Sequence, residues 1–117
     1  MKKIKKEFGK HYLVELIHCD RTKLRYVKDV KRVFLRAAKE SKASIIESNF
    51  YQFAPVGVTG IIFIKESHFS VHTWPEDRYA AFDILTCGTM DPEAAIEVMR
   101  KGFCAKRVIK KIIKRGF

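Results

Sequence analysis

Reactive side chains are densest in the run Glu66-Ser67-His68-Phe69-Ser70-Val71-His72-Thr73-Trp74-Pro75-Glu76. A turn at Ser67 followed by an extended chain puts His68, Ser70, His72 and Trp74 on one face, because strand side chains alternate with a period of two. Two imidazoles, a hydroxyl and an indole are a costly set to bury, so this face is read as a site. Imidazole can move protons near neutral pH, a hydroxyl can attack a carbonyl, and an indole can hold a flat or cationic ligand. Cys87 adds a thiol just past the next extended segment, where a hairpin would bring it near Ser67 and His72. Simpler readings remain beside these. A lone histidine is more often structural than catalytic, and a lone buried cysteine is usually an inert small hydrophobe. His68 and His72 have helical metal-binding spacing but sit in a strand, and no third ligand stands at suggestive spacing, so no metal is expected. Ser67 beside His68 makes no triad, since neighbours on a strand point to opposite faces.

The elements that must position these groups follow from hydrophobic periodicity. His11 to His18 alternates and reads as a first strand, closed by Cys19-Asp20. From Tyr26, Val27, Val30, Phe34, Leu35 and Ala38 recur at three- and four-residue steps, opposite Lys28, Lys31, Arg32 and Lys39; this is an amphipathic helix. Ser44 to Phe53 is a second strand, and Ala54-Pro55-Val56-Gly57 turns the chain. Val58 to Ile64 is a third, broken at Gly60. His68 to Trp74 is the fourth, ended by Pro75, and Tyr79 to Thr86 the fifth, ended by Cys87-Gly88. Asp91-Pro92-Glu93 opens a second helix with the apolar stripe Ala94, Ala95, Val98 and Met99 and a stop at Gly102. The segment 107–116 fits a helix face through Val108, Ile109, Ile112 and Ile113; its β-branched enrichment favours a strand. The order β-α-β-β / β-β-α-β predicts an α+β two-layer sandwich, a mainly antiparallel sheet with two helices on one face. The uncovered sheet face makes dimerisation the natural expectation.

The chain of 117 residues is one domain in length, and 47% hydrophobic residues suffice for a packed core. The longest near-continuous apolar run, Val56 to Ile64, is far short of the roughly 20 residues of a membrane span. No apolar core follows the basic start, so no signal peptide is expected. Three cysteines without metal-type spacing point to a reducing cytoplasm. The net charge of +11 sits at the ends, +4 over residues 1–10 and +8 over residues 100–117, while the body carries −1. A solvated basic face accounts for such ends, and specific nucleic-acid binding is not expected.

ESHFSVHTWPE resembles the processing-site motif of the small prokaryotic S-adenosylmethionine decarboxylases, pyruvoyl enzymes that make their own cofactor by self-cleavage. Four further blocks resemble the family in order: Gly9 to Glu15 with Cys19-Asp20, Phe53 to Gly60, Ala80 to Gly88, and Lys114-Arg115-Gly116-Phe117. The resemblance implies a single domain, 1–117, cut between Glu66 and Ser67 into a β-chain, 1–66, and an α-chain, 67–117. Ser67 would become the pyruvoyl group, with no PLP and no metal, and would hold the substrate amine as a Schiff base. His72 matches the histidine assigned to the elimination that completes processing, and Cys87 matches the general acid that returns a proton after decarboxylation. Thr59 stands where many members carry a serine that supports processing. Phe53, Trp74 and Glu76 match substrate-binding positions, the aromatics suited to adenine and a sulfonium, Glu76 to ribose hydroxyls. Lys65 and Asp77-Arg78 depart from the family's usual residues at the pocket entry.

The implied function is decarboxylation of S-adenosylmethionine for spermidine and other polyamine synthesis, by a cytoplasmic homodimer of processed αβ units with no membrane partner. Two alternatives stand beside it. A pyruvoyl-dependent arginine or ornithine decarboxylase would share the fold and catalytic residues. A non-catalytic polyanion-binding domain would use the basic ends but leave Ser67, His72 and Cys87 without a purpose.

Overall fold

A computed structural model describes residues 5–65, 67–86 and 88–117. The elements in chain order are β1 (Glu7–Ile17), α1 (Val27–Glu40), β2 (Ile45–Gln52), β3 (Val58–Ile64), β4 (Ser67–Trp74), β5 (Tyr79–Thr86), α2 (Pro92–Gly102) and β6 (Arg107–Gly116), with short 3-10 turns at Arg21–Lys23 and Pro75–Asp77. The strands form one six-stranded sheet in the order β2-β3-β4-β5-β1-β6. All its pairings are antiparallel. Both helices bear on one face of it, giving the expected α+β two-layer sandwich.

Alternation along each strand decides which side chains enter the core. Tyr12, Val14 and Leu16 of β1, Val58, Ile62 and Ile64 of β3, Phe69 and Val71 of β4, and Ala80, Phe82 and Ile84 of β5 are buried beneath the helices. Against them pack Val30, Phe34, Ala37 and Ala38 of α1 and Ala95, Ile96 and Met99 of α2. Ile96 joins the core beyond the expected stripe. Asp91 caps α2 by accepting from Ala94 N at 3.2 Å, which satisfies a backbone donor with no partner inside the helix. The N-terminus of α1 has no side-chain cap of its own. Val27 N donates instead to Gln52 Oε1 at 2.8 Å.

Three expectations need correction. β1 starts at Glu7 rather than His11, because its first residues are held by β6 through the pair Glu7↔Gly116 and by Phe117 N donating to Lys6 O at 3.0 Å. It ends at Ile17, since His18 adopts a left-handed conformation, φ 58°, that breaks the extended chain. Gly60 does not break β3: it pairs with both Phe50 and Val71. A Cβ there would collide with the Phe50 ring, so the glycine marks a close approach rather than an interruption. The segment 107–116 is a strand, as its β-branched residues favoured. Among the described residues no helix is long and apolar enough to cross a membrane.

Candidate active site

The face of the sheet turned away from the helices carries the reactive groups. His68, Ser70, His72 and Trp74 project there from β4, since Phe69, Val71 and Thr73 between them are buried. The sheet order brings neighbours to this row that the local sequence does not announce.

At one end of β4 the groups converge on a cavity of about 300 Å³ lined by Phe53, Val56, Gly57, Thr59, His72, Thr73, Trp74 and Glu76. Thr59 of β3 is the register partner of His72, and its Oγ1 lies 3.0 Å from His72 Nδ1. Trp74 stacks on Tyr79 with ring centroids 5.2 Å apart, yet 41% of it stays exposed. Phe53 is 47% exposed and meets Tyr51 edge-on at 4.8 Å. Both aromatics thus present free surface to a ligand. The wall bearing Phe53 is tied down from several sides. Phe53 N donates to Gly57 O at 2.8 Å and Gly57 N to Arg25 O at 2.9 Å. The Gln52 amide donates to the carbonyls of Arg25 and Gly57. Gly57 holds φ 113°, a conformation that favours glycine. Thr73 pins the floor, donating to Leu24 O at 2.8 Å and accepting from Val58 N at 2.9 Å.

At the other end stands Ser67, half-buried at the first residue of β4 and paired with Ile64. Glu66 and Cys87 lie outside the described residues. Continuing the β4–β5 register one step beyond His68↔Leu85 sets Thr86 across from Ser67. Thr86 is only 7% exposed, and among the described residues its hydroxyl has no hydrogen-bond partner. A buried unsatisfied hydroxyl costs about 1–3 kcal/mol. It lines a second cavity of about 360 Å³, with Lys10, Tyr12, Gly88 and Met90 among its walls.

Between the two ends lies a polar cluster that sequence reasoning missed. His11 Nε2 donates to Asp83 Oδ2 at 2.6 Å, and His68 Nε2 lies 3.7 Å from the same oxygen. Ser70 donates to Asp83 Oδ1. Arg115 donates to His11 Nδ1 at 3.2 Å, which leaves the proton on Nε2 for Asp83. Burial raises the Asp83 pKa, but the hydrogen bonds from Ser70 and His11 and the nearby imidazoles outweigh it and hold the carboxyl below its usual range. His11, His68 and Asp83 offer donor atoms within 4.8 Å of one another, a geometry that could hold a metal. Of the His68 and His72 pair only His68 takes part; the other two donors, His11 and Asp83, come from strands distant in sequence. Nearby, Tyr79 donates to Glu15, and burial with that carboxylate pushes its phenol up to about 12.

The expected site residues thus divide. Phe53, Thr59, His72, Trp74 and Glu76 share one cavity. Ser67 stands five residues down the same strand, about 16 Å away at 3.3 Å per residue, with its side chain on the opposite side. One chain by itself does not bring His72 to Ser67.

Comparison with known proteins accounts for nearly the whole chain. Residues 10–116 match the model of the S-adenosylmethionine decarboxylase family. An S-adenosylmethionine decarboxylase proenzyme of Pyrococcus horikoshii is 42% identical over 109 residues, 92% of this chain and 78% of its own. Its counterpart of the same name from Thermotoga maritima is 45% identical over 104 residues, covering 88% and 80%. The crystal structure of the adenosylmethionine decarboxylase from Aquifex aeolicus superposes with a TM-score of 0.87 at 36% identity, covering 96% of this chain and 93% of that one. With both helices, the site segment and all of the sheet but the first residues of β1 inside the matched span, this chain belongs to the S-adenosylmethionine decarboxylase family.

Proposed function

We propose that this chain is a self-processing, pyruvoyl-dependent decarboxylase of S-adenosylmethionine. The observation that carries the reading is the single cavity joining Phe53, Thr59, His72, Trp74 and Glu76 in a chain of this family. Trp74 and Phe53 offer exposed π surface, which suits adenine and attracts a sulfonium cation. Glu76 adds a carboxylate that can accept from ribose hydroxyls and offset the positive charge. Ornithine would use the carboxylate and arginine could also stack its guanidinium on one ring, but neither carries both a flat base and a sulfonium for the two aromatic faces.

Processing begins when Ser67 Oγ attacks the carbonyl carbon of Glu66, and the amide becomes an ester as the nitrogen leaves the acyl carbon. His72 then takes the α-proton of residue 67. The electron pair left behind expels the Glu66 carboxylate, which ends the 1–66 fragment. Water adds to the resulting dehydroalanine and ammonia departs, leaving a pyruvoyl group at the head of 67–117. Thr59 Oγ1 against His72 Nδ1 fixes the ring and leaves Nε2 for the substrate side. Ser67 fits this role: it is half-buried and opens β4. Once formed, the group would supply an electron sink for the carbanion left when carbon dioxide departs. Cys87 would return a proton to the α-carbon, a task suited to a thiol whose ordinary pKa is about 8.5.

With Ser67 and His72 in these roles, their separation within one chain favours a site completed by a second copy. A two-fold axis between two sheets, running across the strands, sets the Ser67 end of one β4 over the Trp74 end of the other. The half-buried Leu13 and Leu85 and the exposed Phe63, Ile109 and Ile113 lie on the face such a pairing would cover. Each site would then take Ser67 from one protomer and Thr59, His72, Phe53, Trp74 and Glu76 from its partner. Free Cys19 and Cys104 suit a reducing compartment, the cytoplasm. The deciding experiment is an intact-mass spectrum with a carbon dioxide assay on S-adenosylmethionine, arginine and ornithine. Fragments 1–66 and 67–117, the second blocked by a carbonyl, and release from S-adenosylmethionine alone are expected. A single uncut chain, or release from an amino acid alone, overturns the reading.

A further inference from the structure

We propose that Thr86 is the hydrogen-bond donor that grips the ketone oxygen generated at residue 67. The inference rests on the processing reading above and concerns a residue that reading does not use. Thr86 ends β5, 7% exposed, and its hydroxyl has no partner among the described residues. Its backbone is paired with Lys10 of β1, and the β4–β5 register, carried one step past its last pair His68↔Leu85, sets Ser67 across from it. Side chains directly across an antiparallel pair stand about 5 Å apart at Cβ, within reach of one hydrogen bond between short side chains. Thr86 also shares Ser67's side of the sheet, the side on which Phe69, Val71, Phe82 and Ile84 are buried.

A donor of this kind has a reason to be unpaired before processing. The oxygen it serves does not exist in the uncut chain. It arrives with the water that replaces ammonia at residue 67. Residue 67 is by then a chain terminus, free to turn about its Cα–C bond and aim the oxygen at Thr86. A hydroxyl holding the oxygen from the helix side leaves the carbonyl carbon open on the other side, where the second protomer would present the substrate. The bond would draw electrons from the carbon, so an amine adds faster, and would hold the group in one rotamer. A buried hydroxyl kept without a partner for packing alone would be better replaced by a methyl group.

The test compares Thr86→Val, which keeps shape and removes the hydroxyl, with Thr86→Ser, which keeps the hydroxyl. Purified full-length variants are checked by intact mass and thermal melting, then reacted with phenylhydrazine, a small carbonyl probe that does not need the substrate cavity. Expected are cleavage of both variants, a melting temperature for Thr86→Val at or above wild type, and hydrazone formation about tenfold slower in Thr86→Val. Thr86→Ser should react within about twofold of wild type. Wild-type hydrazone kinetics in Thr86→Val overturn the proposal. So does an uncut Thr86→Val beside a cut Thr86→Ser, which would place the hydroxyl in processing, and so does a melt well below wild type, which would give it a structural partner. Wild-type protein that is itself uncut, or carries no reactive carbonyl, defeats the processing reading instead.

Discussion

The two ends of β4 solve different problems. At the Trp74 end the groups are already paired or stacked: Thr59 on His72, Trp74 on Tyr79, Phe53 on Tyr51. Their loop is held by backbone and glutamine hydrogen bonds, which suits the proposed binding site, fixed before its ligand arrives. At the Ser67 end a half-buried serine opens the strand near the Thr86 hydroxyl, which has no partner among the described residues. That end is arranged for bonds not yet made. On the proposed reading, recognition and bond-making are divided along one strand, and two copies in opposite directions would reunite them.

Removing the bond-making end should have the largest effect. Ser67→Ala leaves no oxygen for the ester and no source of the carbonyl, so the chain should stay whole at 117 residues with no decarboxylase activity on a denaturing gel and in the carbon dioxide assay. Cleavage at the usual place in that variant would exclude Ser67.

The proposed division between protomers can be tested next. His72→Ala alone should stall at the ester, which hydroxylamine would cut between residues 66 and 67. Co-expressed with Ser67→Ala, it should regain about a quarter of wild-type activity, since about half of randomly paired dimers are mixed and each has one intact site. The regained α-chain should carry the His72→Ala substitution. No recovery would mean that both residues act within one chain.

The proposed proton donor, Cys87, offers a further test. Cys87→Ser should still be cut but lose sustained turnover by about tenfold or more, with inactivation that depends on substrate as protons reach the wrong carbon. Undiminished turnover over many cycles would make Cys87 a packing residue.

The smallest effect lies between the ends. Because the folded Asp83 carboxyl titrates below its ordinary value, near 3.8, the unfolded chain binds the extra proton. Its stabilisation is therefore complete above about pH 4 and fades as pH falls through the folded value. Asp83→Asn should melt with a loss of about 1–2 kcal/mol at pH 7. The gap to wild type should shrink toward pH 3, and a constant gap would show that the charge of Asp83 contributes nothing.

Local pattern carried most of the fold. Alternation from His68 to Trp74 announced which side chains share a face, and Asp91-Pro92 announced a helix start. The segment 107–116 was harder, because Val108, Ile109, Ile112 and Ile113 suit two periods at once, and pairing with β1 settles the matter. Gly60 misled for a related reason: its purpose is the Phe50 ring on the next strand, which local sequence does not show. The site followed the same rule. Residues inside the motif were legible, whereas the Thr59–His72 contact needs the β3–β4 register. The His11–Asp83 bond needs β1 inserted beside β5, across 72 positions of chain. Thr86 was passed over because a lack of partners has no sequence signature.

The sheet order has one more consequence if the chain is cut, as proposed, between β3 and β4. The first fragment would keep β1, β2 and β3, and the second β4, β5 and β6. In the sheet, however, β1 lies between β5 and β6, and β3 lies against β4. The fragments are therefore woven rather than stacked: one strand of the first is clasped on both edges by strands of the second. Scission removes one covalent bond and opens no seam along which the halves could part. The severed molecule should melt in one cooperative step, and neither piece should exchange with free copies of itself until the whole sheet unravels.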